Sequence, residues 1–301
     1  MTITRRDILK LGAGAAASTF AGGTQSAVEL TMRPIPSSGE RLPVVGIGTN
    51  RYGAGSETEI APLRETLKTF TAAGGKLIDT APMYGSSEVV LGELIAGLGI
   101  RQQLFLATKV YADGREAGLE EMNASFSRLR TNRIDLIQVH NLSDTATQLA
   151  TMREGKSAGR YRYVGVTTSR DSQYDEMENV LKKEKLDFVQ VDYSIENRTA
   201  AERILPLALE RGVAVLINLP FGRARLFSAV RGKALPPWAA EFDCGSWAQF
   251  FLKYVIGHPA STCAIPGTRK PAHVADNLGA ARGRLPDQAM RRKMEQFFDA
   301  L

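Results

Sequence analysis

Four residues that can hold or move a proton stand where apolar runs of this chain stop. Asp79 ends the run in KLIDTAPMYGSSE (76–88), and Tyr84 follows in a Gly/Ser-rich turn; Lys109 ends LFLATK (104–109) and His140 ends RIDLIQVH (133–140). A carboxylate at a strand end beside a phenol in a loop makes an acid/base pair. Taken singly, Asp79 reads as a cap on the following helix and Tyr84 as a ring packed over it. As a set they read differently. In a parallel barrel the strand ends converge on one rim, so groups far apart in sequence meet in one pocket. Lys109 alone also suits a Schiff-base nucleophile of the aldolase type, a reading that leaves Asp79 and Tyr84 without a role.

The elements that must position these residues follow from periodicity. Apolar runs predict strands over 44–47, 76–79, 104–109, 134–140, 164–168, 188–192, 214–218 and 263–265. Amphipathic stretches predict helices near 60–73, 86–98, 119–129, 145–158, 173–183, 200–211, 247–257 and 271–281. Eight β-α units with no linker describe one closed (β/α)8 TIM barrel of the α/β class. An open dinucleotide-binding sheet should carry G-x-G-x-x-G after its first strand, and GIGTNRYG (46–53) lacks the third Gly at that spacing. Pro34, Pro36 and Ser37-Ser38-Gly39 predict an N-terminal β-hairpin within 29–43. Met290, Met294, Phe297 and Phe298 fall on one side of a C-terminal helix over 287–301, expected to pack on the barrel wall.

Seven stretches in order then carry a resemblance: GIGT (46–49), IDTAPMYGSSE (78–88), ATKV (107–110), RIDLIQVH (133–140), VGVTT (164–168), QVDYSIENR (190–198) and IPGTRKPAHVADN (265–277). Over 29–301 the chain resembles the aldo-keto reductases. The resemblance implies a barrel that binds NADP(H) in extended form, a small-molecule carbonyl substrate, and a catalytic tetrad of Asp79, Tyr84, Lys109 and His140. The chemistry fits these types. Reducing a carbonyl needs a hydride at carbon and a proton at oxygen, and a phenol, with an ordinary pKa of about 10, is a weak donor at neutral pH. An ammonium beside a phenol favours the phenolate, a carboxylate holds that ammonium charged and oriented, and an imidazole polarises the carbonyl.

For the cofactor, the resemblance assigns Gln190 and the pair Thr167 and Thr168 to the nicotinamide carboxamide. It assigns Thr268 and Arg269 to the adenosine 2′-phosphate and Asn277 to the adenine, with Thr49, Asn218 and His273 also at the cofactor. The chain departs from the family pattern at three of these places. Thr-Thr stands where Ser-Asn is usual, Asn218 where many relatives stack a Tyr on the nicotinamide, and His273 where a second phosphate-binding Arg is usual. The same contacts also suit a non-catalytic NADP(H)-binding sensor or accessory subunit. Tyr52, Tyr111, Phe221 and Trp238 are candidates for the pocket wall, each with ordinary packing as its other reading. About twenty residues follow the last barrel helix, mostly of helical pattern, which suggests no long C-terminal flap, an open pocket and broad or bulky substrates.

At 301 residues, 44% apolar and 23% charged, the chain has ample length for one buried core and no need of disulfides. Residues 1–27 do not belong to that core. Thr4-Arg5-Arg6-Asp7-Ile8-Leu9-Lys10, a short Gly- and Ala-rich apolar segment and small residues up to Ala27 have the layout of a cleaved export signal, and the first seven resemble a twin-arginine motif. The alternative is an ordinary basic signal or tail. The expected division is therefore a signal over 1–27, read by the twin-arginine translocation machinery, and a barrel over 28–301 acting in the periplasm without a stable membrane anchor. Loss of Arg5, Arg6, Lys10 and Asp7 lowers the formal charge from +6 to +4. The remaining Lys and Arg are interspersed with acids, so no nucleic-acid partner is expected. Cys244, Cys263 and three His offer no metal-ligand spacing.

Overall fold

The computed structural model describes residues 29–301, and the export signal expected over 1–27 lies outside them. The described chain opens with an antiparallel hairpin, β1 (Met32–Pro34) against β2 (Arg41–Pro43), turned at Gly39 with φ +76°. Eight parallel strands follow: β3 (Ile47–Gly48), β4 (Leu77–Asp79), β5 (Phe105–Val110), β6 (Ile134–His140), β7 (Tyr161–Thr167), β8 (Phe188–Asp192), β9 (Ala214–Asn218) and β10 (Ser261–Ala264). They pair in chain order and form the expected barrel. Between β10 and β3 the ring closes through two isolated bridges, Val45 with Ala264 and Gly48 with Gly267. Glycine is required on both sides of β3: a Cβ on Gly48 would stand 2.8 Å from the Ile265 carbonyl oxygen across the seam, and one on Gly46 2.6 Å from that of Leu77 in β4.

Alternation along the strands gives the barrel two apolar layers. Ile78, Leu106, Ile137, Val166, Val189, Val215 and Ile217 point outward against the helices, while Leu77, Phe105, Tyr163, Phe188 and Ala214 fill the barrel floor. Ile35 and Leu42 from the hairpin join that floor from below. Arg33 fastens the hairpin by donating to the backbone oxygens of His258 (2.8 Å) and Ile256 (2.6 Å). Higher in the barrel the inward positions turn polar: Asp79, Lys109, Gln138, His140, Thr167 and Gln190 occupy the C-terminal ends. Such residues have no place in an apolar plug. Their burial is tolerable only where they satisfy one another.

The helices around the ring are α1 (Glu57–Ala72), α2 (Ser87–Leu98), α3 (Arg115–Arg128), α4 (Thr145–Ser157), α5 (Tyr174–Lys183), α6 (Thr199–Glu202), α7 (Ile204–Glu210), α8 (Arg225–Ala229), α9 (Trp247–Ile256), α10 (Pro271–Gly279) and α11 (Gln288–Asp299). α5 shows why they form: Tyr174, Met177 and Leu181 recur at helical spacing on the buried face, with Asp175 and Glu176 at the positive end and Lys182 and Lys183 at the negative one. The helix expected over 200–211 is broken at Arg203, whose φ of −133° leaves the helical region and gives α6 and α7. α11 packs on the wall as expected, with Met294 fully buried and Phe297 edge-on to Trp238 at 5.6 Å. Among the described residues no helix is long and apolar enough to cross a membrane.

Candidate active site

The ends of β4 and β5 place Asp79 and Lys109 side by side, both almost wholly buried. Lys109 Nζ donates to Asp79 Oδ2 (2.6 Å) and to the Thr80 carbonyl oxygen (2.8 Å). The other carboxylate oxygen, Oδ1, accepts from Gln190 Nε2 (3.0 Å) and Gln138 Nε2 (3.3 Å). Removing two charges from water is costly, and this carboxylate is sustained by three donors at once. Burial works against the charge on Lys109, but the fields of Asp79 and Tyr84 outweigh it and hold the ammonium above its ordinary pKa. Gln138 was missed in the sequence. Its signal was there: a polar residue two before His140, on the same inward face of the strand.

Tyr84 stands over this pair. The turn after β4 is set by Tyr84 N donating to the Ala81 oxygen (3.1 Å), by Gly85 at φ +61°, and by Ser87 Oγ donating to the Thr49 oxygen (2.9 Å). Lys109 Nζ lies 5.0 Å from the centre of the Tyr84 ring. His140, at the end of β6, meets Tyr84 edge-on at 6.0 Å and Tyr111 edge-on at 6.0 Å. Burial, with the charges of Lys109 and Arg170 behind it, pushes the imidazole down to about 3. It is therefore neutral at pH 7, and its buried Nδ1 has no partner. Because the folded pKa lies below the unfolded value near 6.5, this residue contributes stability that is present above pH 6.5 and is lost as pH falls toward 3. Denaturant unfolding should show stability declining below pH 6.5, with a shallower decline in His140→Gln; an unchanged slope would contradict the burial of a neutral imidazole.

The four side chains stand at one end of a cavity of about 910 Å³, of which Asp79, Tyr84 and His140 form part of the lining. Thr167, Gln190 and Asn218 line it as well, whereas Thr168 lies behind the wall with its hydroxyl donated to Gln173 Oε1 (2.5 Å). Gln190 is held from two sides, since its Oε1 accepts from Thr167 Oγ1 (2.9 Å). Thr49 also lines the cavity but donates its hydroxyl to the Asp79 carbonyl oxygen (2.9 Å). Asn218 gives Nδ2 to the Thr168 oxygen (3.2 Å) and leaves a buried Oδ1 without a partner. Of the four aromatic wall candidates, Tyr52 and Phe221 line the cavity and Tyr111 lies exposed beside His140. Trp238 does not line it and packs instead among Phe242, Phe250 and Phe297, because the turn of 3-10 helix over Pro237–Phe242 directs it to the wall. Trp247 and Phe227 are lining residues the sequence did not single out.

Around the ring the cavity divides into two arcs. Loops after β9, β10 and β3 bring Arg223, Arg269, Lys270 and Arg51 to its edge, and among the described residues none of the four forms an ion pair or side-chain hydrogen bond. Elsewhere arginines are commonly matched, as Arg64 with Glu57, Arg115 with Glu154 and Arg284 with Asp243. Thr268 and Asn277 are buried beside this edge, with Thr268 Oγ1 accepting from Lys270 N (3.3 Å); His273 is exposed. Asp276 is occupied by Ser246 Oγ (2.8 Å) and Gln249 Nε2 (2.8 Å). The opposite arc, on the loops after β4 to β7, carries Tyr84 and His140. Non-glycine residues in the left-handed region flank both arcs: Asn141, Leu142 and Asp144 on one side, Leu219, Arg223 and Ala224 on the other. Strain of this kind persists where surrounding structure fixes a site.

Known proteins match this arrangement in sequence and in fold. A methylglyoxal reductase of Escherichia coli, YeaE, is 32% identical over 247 residues, spanning 78% of this chain and 84% of that protein. An NADH-specific methylglyoxal reductase of the same organism is 27% identical, spanning 84% of this chain and 94% of its own. Among solved structures, an aldo-keto reductase from Klebsiella pneumoniae in complex with NADPH superposes with a TM-score of 0.74 at 23% identity, covering 90% of this chain and 95% of that one. AKR11C1 from Bacillus halodurans, in its holo form, gives 0.72 at 23% identity over 90% and 96%. The profile of the aldo/keto reductase family matches residues 44–295, which takes in every strand of the barrel and all four side chains gathered at its rim: the chain belongs to the aldo/keto reductase family.

Proposed function

We propose that the protein is an NADP(H)-dependent carbonyl reductase, with Tyr84 as proton donor, His140 as carbonyl-polarising group, and Lys109 and Asp79 as the pair that supports Tyr84. The observation that carries this is the buried Lys109–Asp79 ion pair set against Tyr84 beside a neutral His140. A neutral imidazole has an N–H to give to a carbonyl oxygen. An ammonium held charged by Asp79 favours the phenolate that remains after Tyr84 gives up its proton. The same pairing argues against a Schiff-base role, which needs Lys109 as a free amine.

The cavity suits a polyanionic dinucleotide. Four cations that form no ion pair or side-chain hydrogen bond among the described residues face it from one arc, and the orphaned Asn218 Oδ1 is an acceptor waiting for a donor such as a carboxamide N–H. Arg269 with Thr268 would hold the 2′-phosphate, Asn277 the adenine, and Gln190, Thr167 and Asn218 the nicotinamide end. When bound, NADPH supplies the hydride that adds to the carbonyl carbon. Tyr84 Oη passes its proton to the carbonyl oxygen, and His140 donates a hydrogen bond to the same atom as charge develops there.

NADPH-dependent reduction of 4-nitrobenzaldehyde tests the activity, and its absence would sink the reading. Calorimetric titration tests the cofactor. Arg269→Ala is expected to lose about 1.5–3 kcal/mol of NADPH binding and little of NADH binding, because only the former presents a 2′-phosphate. Equal losses for the two nucleotides would refute that role.

The proposal extends to location. The arginine pair in the first residues supports export of the folded barrel to the periplasm, carrying its nucleotide with it. Arg5→Lys combined with Arg6→Lys should leave folded protein in the cytoplasm. Mature protein still accumulating outside the inner membrane would point to an ordinary export route.

A further inference from the structure

The two arcs of the cavity differ in charge, and the difference bears on what enters beside Tyr84. The loops over 80–86, 111–114, 141–144 and 168–173, which follow β4 to β7, hold a single cation, Arg170. Its position is fixed by short links. His140 pairs with Thr167 across the β6–β7 ladder, Gln173 Nε2 donates to the Asn141 oxygen (2.9 Å), and Arg170 N donates to Thr168 Oγ1 (3.1 Å). The loop bearing Arg170 is thus tied to the loop that follows His140. The guanidinium is exposed and has no ion pair or hydrogen bond among the described residues. It is close enough to His140 to disfavour a second positive charge there, and no carboxylate offsets it.

The acids on these loops are engaged elsewhere. Asp113 accepts from Ser143 Oγ (3.4 Å), Asp144 from Gly114 N (2.8 Å), and Asp171 from Asn197 Nδ2 (3.1 Å). Two cavity-lining neighbours of Arg170 and His140, Ser169 and Asn141, offer an O–H and an amide N–H with no partner among the described residues. Arg170 is not itself part of the cavity lining, but it follows Ser169 in sequence and its loop is bonded to that of Asn141; a guanidinium with no ion pair at such a rim is a receiver for a carboxylate, since Arg binds planar anions through parallel N–H groups. We infer that Arg170, with Asn141 and Ser169, selects carbonyl substrates that carry a carboxylate, leaving the cations of the opposite arc to the dinucleotide. The inference rests on the reductase reading for its chemistry. The carboxylate is unchanged in the reaction, while hydride goes to the carbonyl carbon and the Tyr84 proton to its oxygen.

The test uses 3-formylbenzoate and its methyl ester, which differ by one charge. The native protein is expected to favour the acid over the ester in kcat/KM by about tenfold or more at low salt, mainly through KM, with the preference shrinking as ionic strength rises. In Arg170→Ala the ratio should fall to near one, and Arg170→Lys should restore part of it, because a point charge keeps attraction but loses the two-pronged geometry. A native ratio near one, or a ratio unchanged in Arg170→Ala, overturns the inference. Titration of the nucleotide-loaded protein with 3-(hydroxymethyl)benzoate and its methyl ester reads the same contrast without turnover. If neither aldehyde is reduced but the acid alone binds and Arg170→Ala abolishes that binding, carbonyl reduction fails and the anion site stands. If acid and ester bind alike, the site itself fails.

Discussion

Tyr84→Phe is expected to lower turnover of an aldehyde at least ~10²-fold, the scale of general acid catalysis, with NADPH affinity nearly unchanged. The substitution removes one oxygen from a ring that the turn over 81–87 and the edge of His140 hold in place, so the cavity keeps its shape. Water can replace the lost donor only poorly. It lacks the position fixed by that turn, and it is a much weaker acid than a phenol. Single-turnover reduction with preloaded NADPH separates the proton step from binding. A variant that retained most of the native rate would remove Tyr84 from the role of donor.

Lys109→Met carries the second large effect, in stability as well as activity. Asp79 would keep Gln138 and Gln190 but lose its counter-charge while remaining almost wholly buried, and breaking one partner of a buried pair costs about 3–5 kcal/mol. Lys109 has a raised pKa in the fold, so the pair contributes fully below the unfolded value near 10.5 and is lost only as pH rises through the higher folded one. The deficit should therefore be constant across neutral pH. Combining Lys109→Met with Asp79→Leu removes both charges and is expected to recover much of the stability while leaving the enzyme inactive. Denaturation midpoints and aldehyde turnover of the three variants decide this. A double variant no more stable than Lys109→Met would mean that packing, rather than an orphaned carboxylate, sets the loss.

How much of this was legible depended on whether a residue's role is written in its own strand. β6, β8 and β9 were read to the residue, because each apolar run stops at a polar residue, His140, Asp192 or Asn218, and β6 and β8 begin just after a charged one, Arg133 or Asp187. Asp79, Lys109 and His140 were visible for the same reason, each being the first ionisable group after such a run. The start of β3 was misread at 44 instead of 47: Val44 to Gly46 form the seam with residues on the other side of the ring, a partner that periodicity cannot reveal. Gln138 was overlooked because a lone amide in a strand has a bland reading until its neighbour Asp79 is known. Trp238 follows the packing reading that its sequence left open, and Phe227 and Trp247 were missed, because the long connection from β9 to α9 runs through left-handed turns at Leu219, Arg223 and Ala224, whose direction no local pattern specifies. Arg170 was passed over as one charge among many. Its distinction lies in what surrounds it and in having no ion pair or hydrogen bond among the described residues.

The seam between β3 and β10 has a mechanical consequence. A hoop of eight staves is only as strong as its narrow joints, and here the seam is two bridges wide, as is the pairing of β3 with β4 beside it, while β6 and β7 share six paired positions. The two loops that leave the joint, with Arg51 and Tyr52 on one side and Thr268, Arg269 and Lys270 on the other, both face the cavity. A molecule lying across them acts as a clasp. Bound there, it would hold the hoop shut at one of its two narrow joints, so amide hydrogens of Gly46, Gly48 and Ala264 become the gauge of whether the clasp is fastened.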